Sequence, residues 1–197
     1  MADRVYRVAV LASGGGSNLQ ALLDACTGPA PARVVLVASN NPSAGALERA
    51  RKAGVPEYVI TDPGDGAGLT RAVQAATTDL VVLAGYLKLI PVETVAAYEG
   101  RMINVHPALL PDFGGPGMYG KRVHEAVLKA GRKESGASVH FVTNDYDQGA
   151  VIAQRPVPVQ PGDTPETLAA RVLAVEHQLL PEVVLAAARA GRVVSLP

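Results

Sequence analysis

The chain has 197 residues, 48% hydrophobic and 18% charged, with 20 glycines and 15 prolines spread along it. That is enough for one domain with its own core and far too apolar for a disordered chain. Lys plus Arg equals Asp plus Glu at 18 each, without charge runs, which speaks against nucleic acid; no apolar stretch nears the roughly 20 residues that span a bilayer.

Only a short apolar run precedes Gly14, too little for a secretion signal. The single Cys26 has no partner for a disulfide or a CxxC site. A cytoplasmic, metal-free protein is the expectation.

Val8–Ala12 is a short continuous apolar run closed by Ser13 and three glycines, which predicts a buried strand. Leu19, Leu22 and Leu23 at helical spacing predict a helix over 18–26. A second strand follows at 34–38, a helix at 45–53, a short strand at 58–60 and a helix at 69–76. Leu80–Leu83 is again apolar on both faces. Repeated β-α-β with fully buried strands is the pattern of an α/β fold, a mostly parallel sheet with helices on both faces.

After Pro91 the pattern loosens. Residues 102–106 predict a strand running into Pro107, and the Pro- and Gly-rich stretch 107–120 a long surface loop. A helix is expected over 123–130, and strands over 137–142 and 151–159 joined by the polar turn 144–149. Thr164-Pro165 opens a last helix as N-cap and first helical residue, expected to kink or break near Pro181. No repeat or linker divides the chain.

Three places carry candidate chemistry. Ser13-Gly14-Gly15-Gly16-Ser17-Asn18 lies between the first strand and helix, where glycines admit a phosphate to free helix amides. The third glycine and the acid of a dinucleotide site are missing, and no Gly-Lys-Ser/Thr follows, so a single phosphate suits the loop better than NAD or ATP. Second, strand alternation turns Asn104 and His106 of Asn104-Val105-His106-Pro107 to one face at a strand's carboxyl end. Asn can donate to an oxyanion and His can move protons near neutrality. Third, Asp147 in the turn after 137–142 could serve His106, with Asp145 as its rival. His140 would support the site or simply pack. His124 is expected at a helix surface and Lys121-Arg122 as a solvated pair; Glu176-His177 is ambiguous.

Together, Leu11–Gln20, Val82-Leu83-Ala84-Gly85-Tyr86, Asn104–Pro111, and Ser138–Thr143 with Asp147 closely resemble the phosphoribosylglycinamide formyltransferase family, in its order and with compatible spacing, over nearly the whole chain. The resemblance implies a Rossmann-like formyltransferase fold as one domain, 1–197. About 1–100 would hold the nucleotide phosphate, and about 101–197 would carry catalysis and folate binding. It implies Asn104, His106 and Asp147 as the catalytic trio and Gly16, Ser17, Asn18 and Glu176 as contacts to the ribonucleotide. Leu87, Lys88, Leu89 and Ile90, with Asn104, would contact the folate. The co-substrate would be 10-formyltetrahydrofolate, with no metal, and the partners small molecules rather than nucleic acid or membrane; a homodimer is compatible with it. The implied chemistry is direct amine attack, with Asn104 and protonated His106 stabilising the oxyanion and Asp147 relaying a proton. Lys88 stands where the family commonly has arginine, and the family's folate-tail arginine has no counterpart. The alternative is a formyltransferase for another amine, such as an amino sugar nucleotide.

Overall fold

The computed structural model describes residues 4–196. Seven strands and six helices follow in the order β1 (Tyr6–Leu11), α1 (Ser17–Ala25), β2 (Ala32–Ser39), α2 (Gly45–Lys52), β3 (Glu57–Val59), α3 (Gly66–Ala75), β4 (Leu80–Leu83), α4 (Val92–Ala97), β5 (Met102–His106), α5 (Lys121–Lys129), β6 (Glu134–Phe141), β7 (Val151–Pro158) and α6 (Pro165–Ala190). They form one sheet in the order β3-β2-β1-β4-β5-β6-β7. The first five strands of that order run parallel, and β6 and β7 pair antiparallel.

Strand alternation divides the core into two layers. Val8, Val10, Ile103 and Val105 face Leu19 and Leu22 of α1, Leu47 of α2, Val127 of α5 and Val172, Leu179 and Val183 of α6. Ala9, Leu11, Val81, Leu83 and Met102 face Leu69 and Val73 of α3 and Val95 of α4. Strands covered on both sides must be apolar at every position, which is why β1 and β4 read as continuous apolar runs. After β3 the chain returns to the other side of β1, so the loops after β1 and β4 part at the β1–β4 boundary. Open α/β sheets bind ligands at such a switch point.

Two expectations fail here. α6 runs unbroken through Pro181. Proline leaves the carbonyl four residues back without its amide, but Leu179, Leu180, Pro181, Val183 and Val184 are all buried, and that packing keeps the helix continuous through the missing bond. Where the pattern seemed to loosen after Pro91, the six-residue α4 packs on α3; it is too short to show helical periodicity. No helix among the described residues is long and apolar enough to cross a membrane.

Candidate active site

The loop after β1 is pinned to its neighbours. The Ser13 amide donates to the Gly85 carbonyl, and Ser13 Oγ donates to Asn40 Oδ1 while accepting from the Leu87 amide. Gly16 caps α1 at φ 73, and a Cβ on it would come within 2.8 Å of Ala46 Cα, so only glycine lets this turn lie against α2. Ser17 opens α1 half-buried. Asn18 is buried, and its Nδ2 donates to Glu176 Oε2 at 2.6 Å across 158 residues of sequence. Burial raises the Glu176 carboxyl pKa, and the Asn18 donation offsets part of that rise.

The register of the β5–β6 pair builds the polar centre. Asn104 stands opposite His140, and His106 opposite Ser138, so all four side chains share one face. A bulge at Ile152 of β7, opposite the Val139–His140 step, and the β6–β7 turn then bring Asp147 back over this pair. The turn is tight: a Cβ on Gly149 would overlap the Phe141 carbonyl. Asp147 itself sits at φ 56, a left-handed conformation uncommon outside glycine.

The Asp147 side chain is only 9% exposed. Its Oδ2 lies 3.6 Å from His106 Nδ1 and accepts from the Gly115 amide at 2.9 Å. Its Oδ1 lies 3.4 Å from both His140 Nε2 and Asn104 Nδ2. Burial opposes its ionisation, but its contacts with His140, His106 and the Gly115 amide together hold its pKa below the usual carboxylate range. Asp145, the rival, is exposed, and only its backbone is engaged, by Thr143.

Tautomers follow from the carbonyl partners. His140 Nδ1 donates to the Phe141 carbonyl at 2.8 Å, so in the neutral ring Nε2 accepts from Asn104 Nδ2 at 3.0 Å and orients that amide. His106 Nε2 donates to the Phe113 carbonyl at 2.8 Å. Burial pushes the His106 pKa below its ordinary value, against the opposing effects of Asp147 and Phe113. Burial thus favours the neutral imidazole over the charged one in this site.

These groups line one cavity of about 770 Å³. Leu87, Lys88, Leu89 and Ile90 line it, as do Asn18 and Glu176; Gly16 and Ser17 are chain neighbours of that lining rather than part of it. The structure thus gathers Asn104, His106, Asp147, Asn18, Glu176 and the 87–90 segment around one space of a size suited to a small-molecule site.

Two readings of the sequence need correction. His124 is not at a helix surface: it is 4% exposed and lines the cavity, because α5 turns its Val123–His124–Val127 face inward. Lys121 and Arg122 are exposed, as expected, and Lys121 forms a surface ion pair 2.6 Å from Glu166 at the start of α6. The 107–120 stretch is not simply a surface loop, since Ala108, Leu110 and Gly115 are buried in it. Its backbone reaches the polar centre through the Phe113 carbonyl and the Gly115 amide. Backbone groups carry no residue-type signal, so nothing in the sequence marked them.

Comparison with known proteins bears on this geometry. The family profile described as "Formyl transferase" matches residues 6–184. The chain is 47% identical over 189 residues to the chloroplastic phosphoribosylglycinamide formyltransferase of Arabidopsis thaliana, covering 92% of this chain and 65% of that one. It is 41% identical to phosphoribosylglycinamide formyltransferase of Escherichia coli K12, covering 90% and 84%. Among solved structures, glycinamide ribonucleotide transformylase 1 from Symbiobacterium toebii superposes with a TM-score of 0.88 at 38% identity, covering 99% and 96%. The chain spans just under two thirds of the Arabidopsis relative.

Proposed function

The chain belongs to the formyl transferase family, and from that premise we propose that it moves the formyl group of 10-formyltetrahydrofolate to the amine of glycinamide ribonucleotide. The reaction belongs to de novo purine biosynthesis, and we place it in the cytoplasm. The observation that carries the reading is the convergence of Asn104, His106 and Asp147 in a cavity shared with Asn18, Glu176 and the apolar 87–90 segment. The relatives named above act on this ribonucleotide by their names.

In this reading the substrates are small molecules, and the chain works as one domain. The first half holds the phosphate: Gly16 shapes the turn, and Ser17 and Asn18 open α1, whose free amides and dipole favour an anion. Glu176 contacts the glycinamide ribonucleotide from α6. Leu87, Leu89 and Ile90 offer an apolar surface to the folate ring system, with Lys88 at its edge for an anionic group.

The amine nitrogen attacks the formyl carbon, forming a C–N bond and leaving an oxyanion on the tetrahedral centre. Asn104 Nδ2, held by His140, donates to that oxygen; one such donor contributes on the order of 3 kcal/mol to the barrier. His106, whose neutral form burial favours, is suited to take the proton that the attacking nitrogen must lose. The imidazolium so formed faces the Asp147 carboxylate and becomes a second stabiliser of the oxyanion. The C–N bond to the folate then breaks, and the proton, passed through His106 or through water at Asp147, ends on the departing nitrogen. Proximity within one cavity supplies much of the remaining acceleration.

The direct test uses folate carrying a ¹³C-formyl group. Mass spectrometry should find the label on the ribonucleotide amine after incubation with the protein, and its absence from that product would refute the assignment.

A further inference from the structure

One histidine on the cavity wall takes no part in the reaction scheme. His124 lies on the inward face of α5 with Val123 and Val127, is 4% exposed, and lines the cavity. Its Nδ1 is wholly buried without a hydrogen-bond partner; Nε2 keeps accessible surface and is likewise unpaired among the described residues. Buried polar groups are ordinarily paired, and leaving one unpaired is costly. His106 and His140, by contrast, are each held by a backbone carbonyl. An apolar side chain would pack beside the two valines without that cost, so the open nitrogen calls for a partner that the protein does not supply.

The two edges of the ring decide where its proton sits. Burial first, and then the nearness of His106, lower the His124 pKa below its ordinary value, so the neutral ring is favoured. A neutral imidazole carries one N–H and one bare nitrogen. Orphaned buried N–H groups are rarer than orphaned acceptors. The enclosed Nδ1 is therefore the bare nitrogen, and the N–H is on Nε2, the edge that keeps access to the cavity. His124 is a donor waiting for an acceptor on a bound molecule.

Its place in the fold says which molecule that is. The sheet divides the walls of the cavity: α1, α5 and α6 pack on one side and bring Asn18, His124 and Glu176, while Tyr86, Ile90 and Val142 belong to the layer on the other. His124 thus stands with the ribonucleotide residues and across the sheet from the folate segment. We propose that His124 is a binding residue for the ribonucleotide, its Nε2–H donating a hydrogen bond to an oxygen of that substrate. This rests on the functional reading above and adds to it a third side chain on the ribonucleotide side. Such a donor discriminates, because an acceptor lacking the oxygen leaves the desolvated N–H unpaired.

The test begins with the wild-type protein labelled with ¹⁵N. Long-range ¹H–¹⁵N spectra of the histidine rings should show His124 with its proton on Nε2. Glycinamide ribonucleotide should shift the His124 signals, and the analogue 10-formyl-5,8-dideazafolate should leave them in place. These spectra need no substitution, so they decide the matter even where a variant fails to fold. His124→Phe keeps a ring and removes both nitrogens. It should raise KM for the ribonucleotide roughly three- to tenfold, the range for one neutral hydrogen bond. The Kd of the folate analogue should be unchanged, and the unliganded variant should unfold at an equal or higher temperature. His124→Gln, which restores an N–H donor, should recover part of the lost KM. A proton on Nδ1, signals that answer to the folate analogue and not to the ribonucleotide, or an unaltered KM in His124→Phe would overturn the assignment. If the ribonucleotide perturbs no signal anywhere in the wild-type protein, the functional reading itself fails and this inference with it.

Discussion

Asp147 Oδ2 lies 3.6 Å from His106 Nδ1, with both side chains almost wholly buried. At that separation the two groups stand near each other without a full hydrogen bond. A proton arriving at Nδ1 would meet a carboxylate already held by the Gly115 amide. The carboxylate is therefore placed to stabilise a positive charge that His106 gains during the reaction.

His106→Ala and Asp147→Asn should each lower kcat by about 10²- to 10⁴-fold, the span of a general acid–base contribution. Circular dichroism and Tm should show both variants folded. Near-normal turnover in either would remove that residue from the chemistry.

The electrostatics give a signed prediction. Burial lowers the His106 pKa below 6.5, and the Asp147 charge partly restores it. Asp147→Asn removes the restoring charge, so the pKa must fall further. Proton NMR of the ring should show His106 titrating below its ordinary value in the wild type and lower still in the variant. An upward move would contradict the pairing.

Asn104→Ala should reduce kcat by about 10²- to 10³-fold as an oxyanion donor is lost. His140→Phe removes the Nε2 acceptor that orients Asn104 and should cost about tenfold. The double variant should be little worse than Asn104→Ala alone, because His140 acts through Asn104. Additive losses would mean that His140 has a separate role.

On the other side of the cavity, Ser17→Ala and Asn18→Ala should raise KM for the ribonucleotide and leave folate affinity nearly constant. Glu176 also gives a stability prediction. Its folded pKa lies above its unfolded value, so the native state holds a proton longer than the unfolded chain. Wild-type stability therefore falls as pH rises from the unfolded pKa through the folded one. Glu176→Gln keeps an acceptor for Asn18 but cannot ionise. Its Tm advantage over the wild type should be smallest near pH 4 and grow toward pH 7; a gap independent of pH would contradict this.

Much of this site was legible because strand parity is a strict rule. Val105 between Asn104 and His106 settles that those two share a face, and the apolar runs of β1 and β4 announce a doubly covered sheet. Asp147 and Asp145 could not be separated from sequence, since the choice depends on a bulge at Ile152 of β7 and a left-handed residue in the turn. His124 was misplaced because a polar residue on a helix reads as surface unless the partner helix is known. Pro181 misled for a related reason: the tertiary packing of α6 outweighs one lost hydrogen bond. The Phe113 carbonyl and the Gly115 amide were invisible in principle, because every residue has the same backbone groups.

The most direct measurement follows release of the deformylated folate by absorbance, with 10-formyl-5,8-dideazafolate as donor and the amine varied. Release that requires glycinamide ribonucleotide, and is absent with water alone or with an amino sugar nucleotide, is the expected result. Release without any amine, or only with the amino sugar nucleotide, would contradict the proposed function and assign this site to hydrolysis or to another acceptor.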